Sequence, residues 1–254
     1  MKFGKSQGIL LLFLSAAVVA SGCVQNNSNN LNPDFDLDHE EIDFNSSGKE
    51  VYENTMSKIE NVTAYRVEAD NKMAMNLPII SLAVNMTSEG IHEPEKSEIN
   101  NSGTIKLDFG DNSNLTRFDN QIRLTDNKSV NQTEEKMYSR EELGISLEAL
   151  KTMKVENASV LGSTQLNEKE NILLNLDVNS SDLMSNSQSI FEVHSPIQDE
   201  TEETEEMDRM GSFDKVEAYL WIDRETRTAS KFAYYGSANN GSLQARSVTE
   251  YSER

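Results

Sequence analysis

FDKVEAYLWIDRETRTASKFAYYGSANNGSLQARSVTEY, residues 213–251, reads as three strands in a row. The spacing of apolar residues from Val216 to Ile222, from Ala229 to Tyr235 and from Leu243 to Val248 follows the period of two expected of half-buried strands. DRET and ANNG between them are turn sequences. Sequential strands joined by short turns pair antiparallel, so the end of the chain predicts a meandering sheet.

The same period runs through the earlier part. Tyr65, Val67, Ala69, Met73, Met75 and Leu77 share one parity, and Pro78 breaks the run. Ile80, Leu82, Val84 and Met86 form the next alternation. Ile105, Leu107 and Phe109 form another, after a polar stretch EKSEINNSG that reads as a turn. Phe118, Ile122 and Leu124 mark a less regular fourth, and Ile172, Leu174, Leu176 and Val178 alternate strictly after NEKEN.

Helical spacing is rarer. In SGKEVYENTMSKIENV (47–62), Val51, Tyr52, Met56, Ile59 and Val62 fall on one face, with Ser46 or Ser47 available as N-cap. EELGISLEALKTM (141–153) is helical apart from Gly144, and SSDLMSNSQSIFEV (180–193) reads as a short helix or a loop. Many strands and two or three helices predict an α+β fold: a large curved antiparallel sheet, an incomplete barrel, with the helices covering its concave face.

The amino end reads as an export signal. Lys2 and Lys5 precede an apolar run from Gly8 to Ala20, and Ala20, Ser21 and Gly22 are small. The run is shorter than the roughly 20 residues a spanning helix needs. Cys23 follows it and is the only cysteine in the chain, so neither an internal disulfide nor a cysteine metal site is available. Small residues before a cysteine resemble the lipobox of lipoproteins, which implies a lipid on Cys23 and a domain held on the outer face of a membrane. The expected division is a signal peptide at 1–22, a lipid-anchored polar and acidic tether at 23–46, and one domain at 47–254.

Charge and asparagine content narrow the partners. The net charge is −20. DFDLDHEEID (34–43) holds six acids and DETEETEEMD (199–208) seven, with no Lys or Arg in either. The second run reads as a surface insert near 196–210. No basic patch exists to neutralise phosphates, which disfavours nucleic acid. N-x-[ST] sequons occur at Asn26, Asn45, Asn61, Asn85, Asn100, Asn114, Asn127, Asn131, Asn157, Asn179 and Asn240, more than chance supplies. They mark an exported chain with candidate N-glycosylation sites, and with the signal and Cys23 they suit an archaeal surface lipoprotein.

Helix, then a strand VTAYRVEA (62–69), then alternating strands ending in WIDRET (221–226) with Lys231 and Phe232 beyond, resembles the lipoprotein-carrier superfamily of the LolA and LppX type. The residue-level match is confined to 216–235. The resemblance implies a half-barrel that shelters acyl chains in its concavity. The sequons and the acidic insert depart from that pattern.

The candidate cavity lining is Tyr65, Val67, Met73, Met75, Leu82, Val84 and Trp221, which ordinary core packing accounts for equally well. DFDLDHEEID fails as a calcium loop, because His39 stands where glycine is required and Asn45 where the bidentate Glu belongs. His39, His92 and His194 lie in apparent loops, not at metal-ligand spacing. No catalytic motif is present, so no catalytic residue, metal or cofactor is expected. Three functions remain: a membrane-anchored protein binding or carrying a lipid or other apolar ligand, a solid-cored envelope glycoprotein that meets other envelope proteins, and a hydrolase, the least supported.

Overall fold

The computed structural model describes residues 31–42, 44–77, 79–94, 96–110, 112–125, 128–131, 139–194 and 212–253 of the 254-residue chain. The expectations for the leader at 1–22, Cys23, Asn26, Pro78, Asn127 and the insert near 196–210 fall outside these residues.

Among the described residues ten strands form one antiparallel sheet: β1 (Tyr65–Asn76), β2 (Ile80–His92), β3 (Lys96–Phe109), β4 (Asn112–Thr125), β5 (Lys128–Asn131), β6 (Val155–Leu166), β7 (Lys169–Val178), β8 (Lys215–Asp223), β9 (Ala229–Ala238) and β10 (Leu243–Glu253). Their order is β5-β4-β3-β2-β1-β10-β9-β8-β7-β6. Two meanders, β1–β5 and β6–β10, are therefore joined at the centre by the first and last strands, with Tyr65 opposite Glu253 and Met75 opposite Leu243. The edges β5 and β6 do not pair, so the sheet stays open. The fold is α+β, as expected.

Among the described residues three α-helices accompany it: α1 (Gly48–Ile59), α2 (Leu147–Thr152) and α3 (Ser180–His194). Ser47 caps α1, its side chain accepting from Glu50 N–H. The helix expected over 141–153 is divided. A 3-10 turn at Glu141–Leu143 ends on Gly144, whose φ of 69° is left-handed, and Ser146 then caps α2. The choice between helix and loop at 180–193 falls to helix.

Register assigns each strand residue to a face. Tyr65, Val67, Met86, Ile99, Ile122, Leu174, Leu220, Phe232 and Tyr251 face inward and share one core with the apolar sides of α1, α2 and α3. Leu143, Ile145, Leu147 and Leu150 belong to the same core, so residues 139–153 cover this face between the two meanders. The outer face carries the charges, many in cross-strand pairs such as Arg66–Glu89 at 2.8 Å and Lys231–Glu250 at 3.1 Å.

Two strands escape the hydropathy pattern. EKSEINNSG is not a turn: β3 begins at Lys96, and its inward positions Ser97, Asn101 and Gly103 are polar or small. β6 has register shifts at Val155/Asn157 and Val160/Gly162, which break the alternation of its side chains. His92 closes β2 and His194 closes α3, so neither lies in a loop.

The expectation of a free tether up to residue 46 is corrected by its second half. Phe35 and Leu37 pack on an outer-face cluster of Leu173, Tyr219, Trp221 and Ala233. Leu31 N–H donates to Gln244 Oε1 at 2.7 Å, Glu40 pairs with Ser163 on the edge strand β6, and Phe44 reaches the inner core. This strap therefore passes from the outer face, around the β6 edge, to the inner face. Apolar residues alternating with the acids of DFDLDHEEID make that docking favourable despite the charge.

Candidate functional site

The expected lining residues do not all meet. Tyr65, Val67, Met73, Met75, Leu82 and Val84 face inward on β1 and β2, where Met73 lies opposite Val84 and Met75 opposite Leu82. Trp221 does not join them. It is an outer-face residue beside Tyr219, with ring centroids 6.4 Å apart, under the Lys231 ammonium at 5.2 Å. Alternation told Trp221 from Ile222 but not which of the two shares a face with β1.

The inner face of β1–β4 differs at its two ends. At one end Tyr65, Val67, Ile99, Ile122 and Leu124 are buried under residues 139–153. Here the Tyr65 hydroxyl donates to Glu148 Oε2 at 2.7 Å and accepts from Leu147 N–H at 3.0 Å. Burial, and after it the Glu148 carboxylate, pushes the Tyr65 phenol far above its ordinary pKa, so it stays neutral. At the other end Met73, Met75, Leu82, Ile105, Leu107 and Phe118 are only half-buried, and this partly uncovered apolar strip of the inner face is here called the trough. Its rim includes Ile79 and Phe109, which are 65% and 49% exposed, with Gly110 N–H bonded to Ile79 O.

No Lys, Arg, Asp or Glu occupies an inward position of β1, β2, β3 or β4. The polar residues there are uncharged amides and hydroxyls together with His92. Between the buried end and the trough, Asn120, Asn101, Ser88, Asn71 and Ser247 form a belt that continues to Tyr234 on β9. Ser247 Oγ donates to Asn71 Oδ1 at 2.6 Å, and Tyr234 Oη meets Ser187 Oγ of α3 at 2.9 Å. Burial, against the pull of Ser187 and Ser247, pushes the Tyr234 phenol above its ordinary value. The sequence held a sign of this belt: Asn71 interrupts the odd-parity apolar run between Ala69 and Met73.

The chain is similar to several solved structures. LprF from Mycobacterium bovis is 9% identical, with 82% of this chain and 94% of that chain covered and a TM-score of 0.43. LppX from Mycobacterium tuberculosis is 12% identical, with 79% and 92% covered and a TM-score of 0.35. A LolA superfamily protein from Nitrosomonas europaea is 12% identical, with 82% and 92% covered and a TM-score of 0.22. No protein-family model and no curated protein matches. Two of these neighbours carry the names of the family that the hairpin at 216–235 resembles.

Other concavities lack the chemistry of a site. A depression of about 570 Å³ on the outer face presents Glu68, Asp70, Glu89, Asp119 and Glu250, several of them already held by Arg66, Lys72, Lys231 and Arg246. A cleft of about 280 Å³ at the strand ends lies among Tyr65, Leu147, Asp223 and Tyr251. His92 Nδ1 is 3.0 Å from Ser97 Oγ, but His92 has no exposure and its ring stacks on Tyr65 at 4.7 Å, a packing arrangement that no substrate reaches. Among the described residues no group of three His, Cys, Asp or Glu is arranged for a metal, and no helix is long and apolar enough to cross a membrane. Of the sequons, Asn45, Asn61, Asn85, Asn100, Asn114, Asn157 and Asn240 are exposed, whereas Asn179 is half-buried and caps α3. Asn131 lies on β5.

Proposed function

We propose that the protein binds an uncharged, largely apolar ligand, a lipid in the simplest case, in the trough on the inner face of β1–β4. One observation carries this reading: a long sheet face without a single charged inward residue, left half-buried at Met73, Met75, Leu82, Ile105 and Leu107. A face that only met water would gain from charge there, whereas apolar surface gains by being covered. Methionine and leucine suit ligands of variable shape. A lipid on Cys23 would hold this domain at the outer face of a membrane, the source of such a ligand, and the reading involves no catalysis.

The test is extraction of the full chain, purified from its native host under mild conditions, followed by mass spectrometry of the organic phase. A neutral lipid near one per chain is the expected result. An empty extract, together with no uptake of a fluorescent neutral lipid, would remove the ligand from the reading.

A second reading has its own support. The half of the inner face under α1 and α3 is solidly packed, and exposed sequons at Asn85 and Asn100 lie on the outer side of β2 and β3. A non-catalytic envelope glycoprotein with a solid core would show glycan at these asparagines and no bound lipid.

A further inference from the structure

We infer that the floor of this trough holds a polar subsite, built on Asn71 and Ser88, for the carbonyl oxygen of a neutral ester or amide within an otherwise apolar ligand. The inference deepens the proposed ligand role and rests on it.

Asn71 is 1% exposed and Ser88 3%. Asn71 spends its Oδ1 on the Ser247 hydroxyl, and its Nδ2 has no partner. Ser88 Oγ has none either. Buried polar groups nearly always find a hydrogen bond, as the Ser187 and Tyr234 hydroxyls do with each other. Two unmet groups therefore stand beside each other in a belt whose Ser247 and Tyr234 hydroxyls are paired.

Their placement defines the missing group. Asn71 lies opposite Met86 and Ser88 opposite Ala69, so the two are diagonal neighbours on one face. Such neighbours stand about 7 Å apart, and one oxygen between them is within reach of both side chains. Nδ2 only donates and the hydroxyl can donate, so the group is an acceptor. It is neutral, because an ionised headgroup would meet no opposite charge on this face. It belongs to an apolar molecule, because Met73, Met75 and Val84 adjoin it on one side and Val67 on the other. Met73 and Phe118 beside the belt are half-buried, and rotation of a methionine side chain opens a path.

The experiment uses the full chain and two fluorescent probes of equal length, a pyrene-labelled hexadecanoic acid methyl ester and a pyrene-labelled alkane. Asn71→Leu keeps the branched shape and removes the amide. It is expected to weaken ester binding about five- to tenfold and to leave alkane binding unchanged. A ¹³C-labelled ester carbonyl should absorb at lower frequency when bound than in hexane and return upward in the variant. Ser88→Ala, which perturbs packing less, should reproduce both effects if Asn71→Leu does not fold. Equal loss of both probes, loss of neither, or a bound carbonyl at its hexane frequency would overturn the subsite and leave the trough standing. Binding of neither probe to the unaltered protein would overturn the ligand reading and the subsite together.

Discussion

Glu40 and Ser163 exchange both backbone hydrogen bonds, Glu40 N–H to Ser163 O at 2.7 Å and Ser163 N–H to Glu40 O at 2.9 Å. This pair covers part of the β6 edge, which would otherwise present unpaired amides. Gly162 makes the approach feasible, since a Cβ there would stand 2.2 Å from Glu40 O. Gly162→Ala should therefore displace the strap and cost about 1–3 kcal/mol. Denaturant unfolding measures the loss, and proteolytic cleavage near Phe35 should quicken with it. Unchanged stability and unchanged cleavage would show that the strap is not held at this point.

The single Trp of the chain reports on the same strap. Trp221 is 3% exposed, and Phe35 packs edge-on against its neighbour Tyr219 at 5.6 Å. Replacing Phe35 and Leu37 together by Ala should uncover this cluster, move Trp221 emission to longer wavelength and destabilise the fold by about 2 kcal/mol. An emission maximum that stays in place would mean that the sheet alone buries Trp221.

Stability should fall in alkali. Burial pushes the Tyr52 phenol up to about 12, and it raises Tyr65, Tyr234 and Tyr251 as well. An unfolded tyrosine ionises near pH 10. Above that pH the unfolded chain holds fewer protons than the folded one, so unfolding becomes easier as pH rises. Tyr52 alone should lose about 2–3 kcal/mol between pH 10 and pH 12. Urea titrations across that interval should show the midpoint dropping, and Tyr52→Phe should flatten part of the slope.

Asp223 acts in the opposite range. Burial pushes its carboxyl up, but the Thr226 N–H, the Lys169 ammonium and the Glu225 N–H together hold it below the usual carboxylate value. Its Oδ1 accepts from Glu225 N–H and Thr226 N–H, both at 2.9 Å, and so fixes the β8–β9 turn. The folded carboxylate gives up its charge less readily than the unfolded one. Its contribution is complete above the unfolded pKa of about 3.9 and disappears as pH falls through the lower folded value. Asp223→Ala should cost about 1–3 kcal/mol at pH 7 and less in strong acid. An equal cost at both pH values would assign the effect to the turn backbone.

A charge placed in the trough separates binding from folding. Met75 is half-buried, so Met75→Lys should cost about 1 kcal/mol or less of stability. It should nevertheless abolish uptake of a neutral fluorescent lipid, because the ligand would have to bury an unpaired ammonium. Uptake that survives Met75→Lys would move the ligand away from this face.

Most of the sheet was legible because its strands alternate. The run from Val216 to Val248 and the odd parity of Tyr65 to Met75 predicted strands that form, and Ser47 caps the helix expected there. What stayed hidden has specific causes. Ser97, Asn101 and Gly103 place polar or small residues inward, so half of β3 lacks an apolar signature. The bulges of β6 shift its parity midway. Period two separates the sides of one strand without relating them to another strand, and Trp221 was assigned to the wrong side for that reason. Phe35 and Leu37 were masked by the acids around them.

The strap also sets how far the protein can stand from a membrane. With a lipid on Cys23 and Leu31 fastened to Gln244, the chain from one to the other can span at most about 28 Å. A chain free as far as Ser47 would reach about 80 Å. The shorter span is close to the thickness of one bilayer's hydrocarbon core. The domain would then ride on the lipid surface rather than float above it.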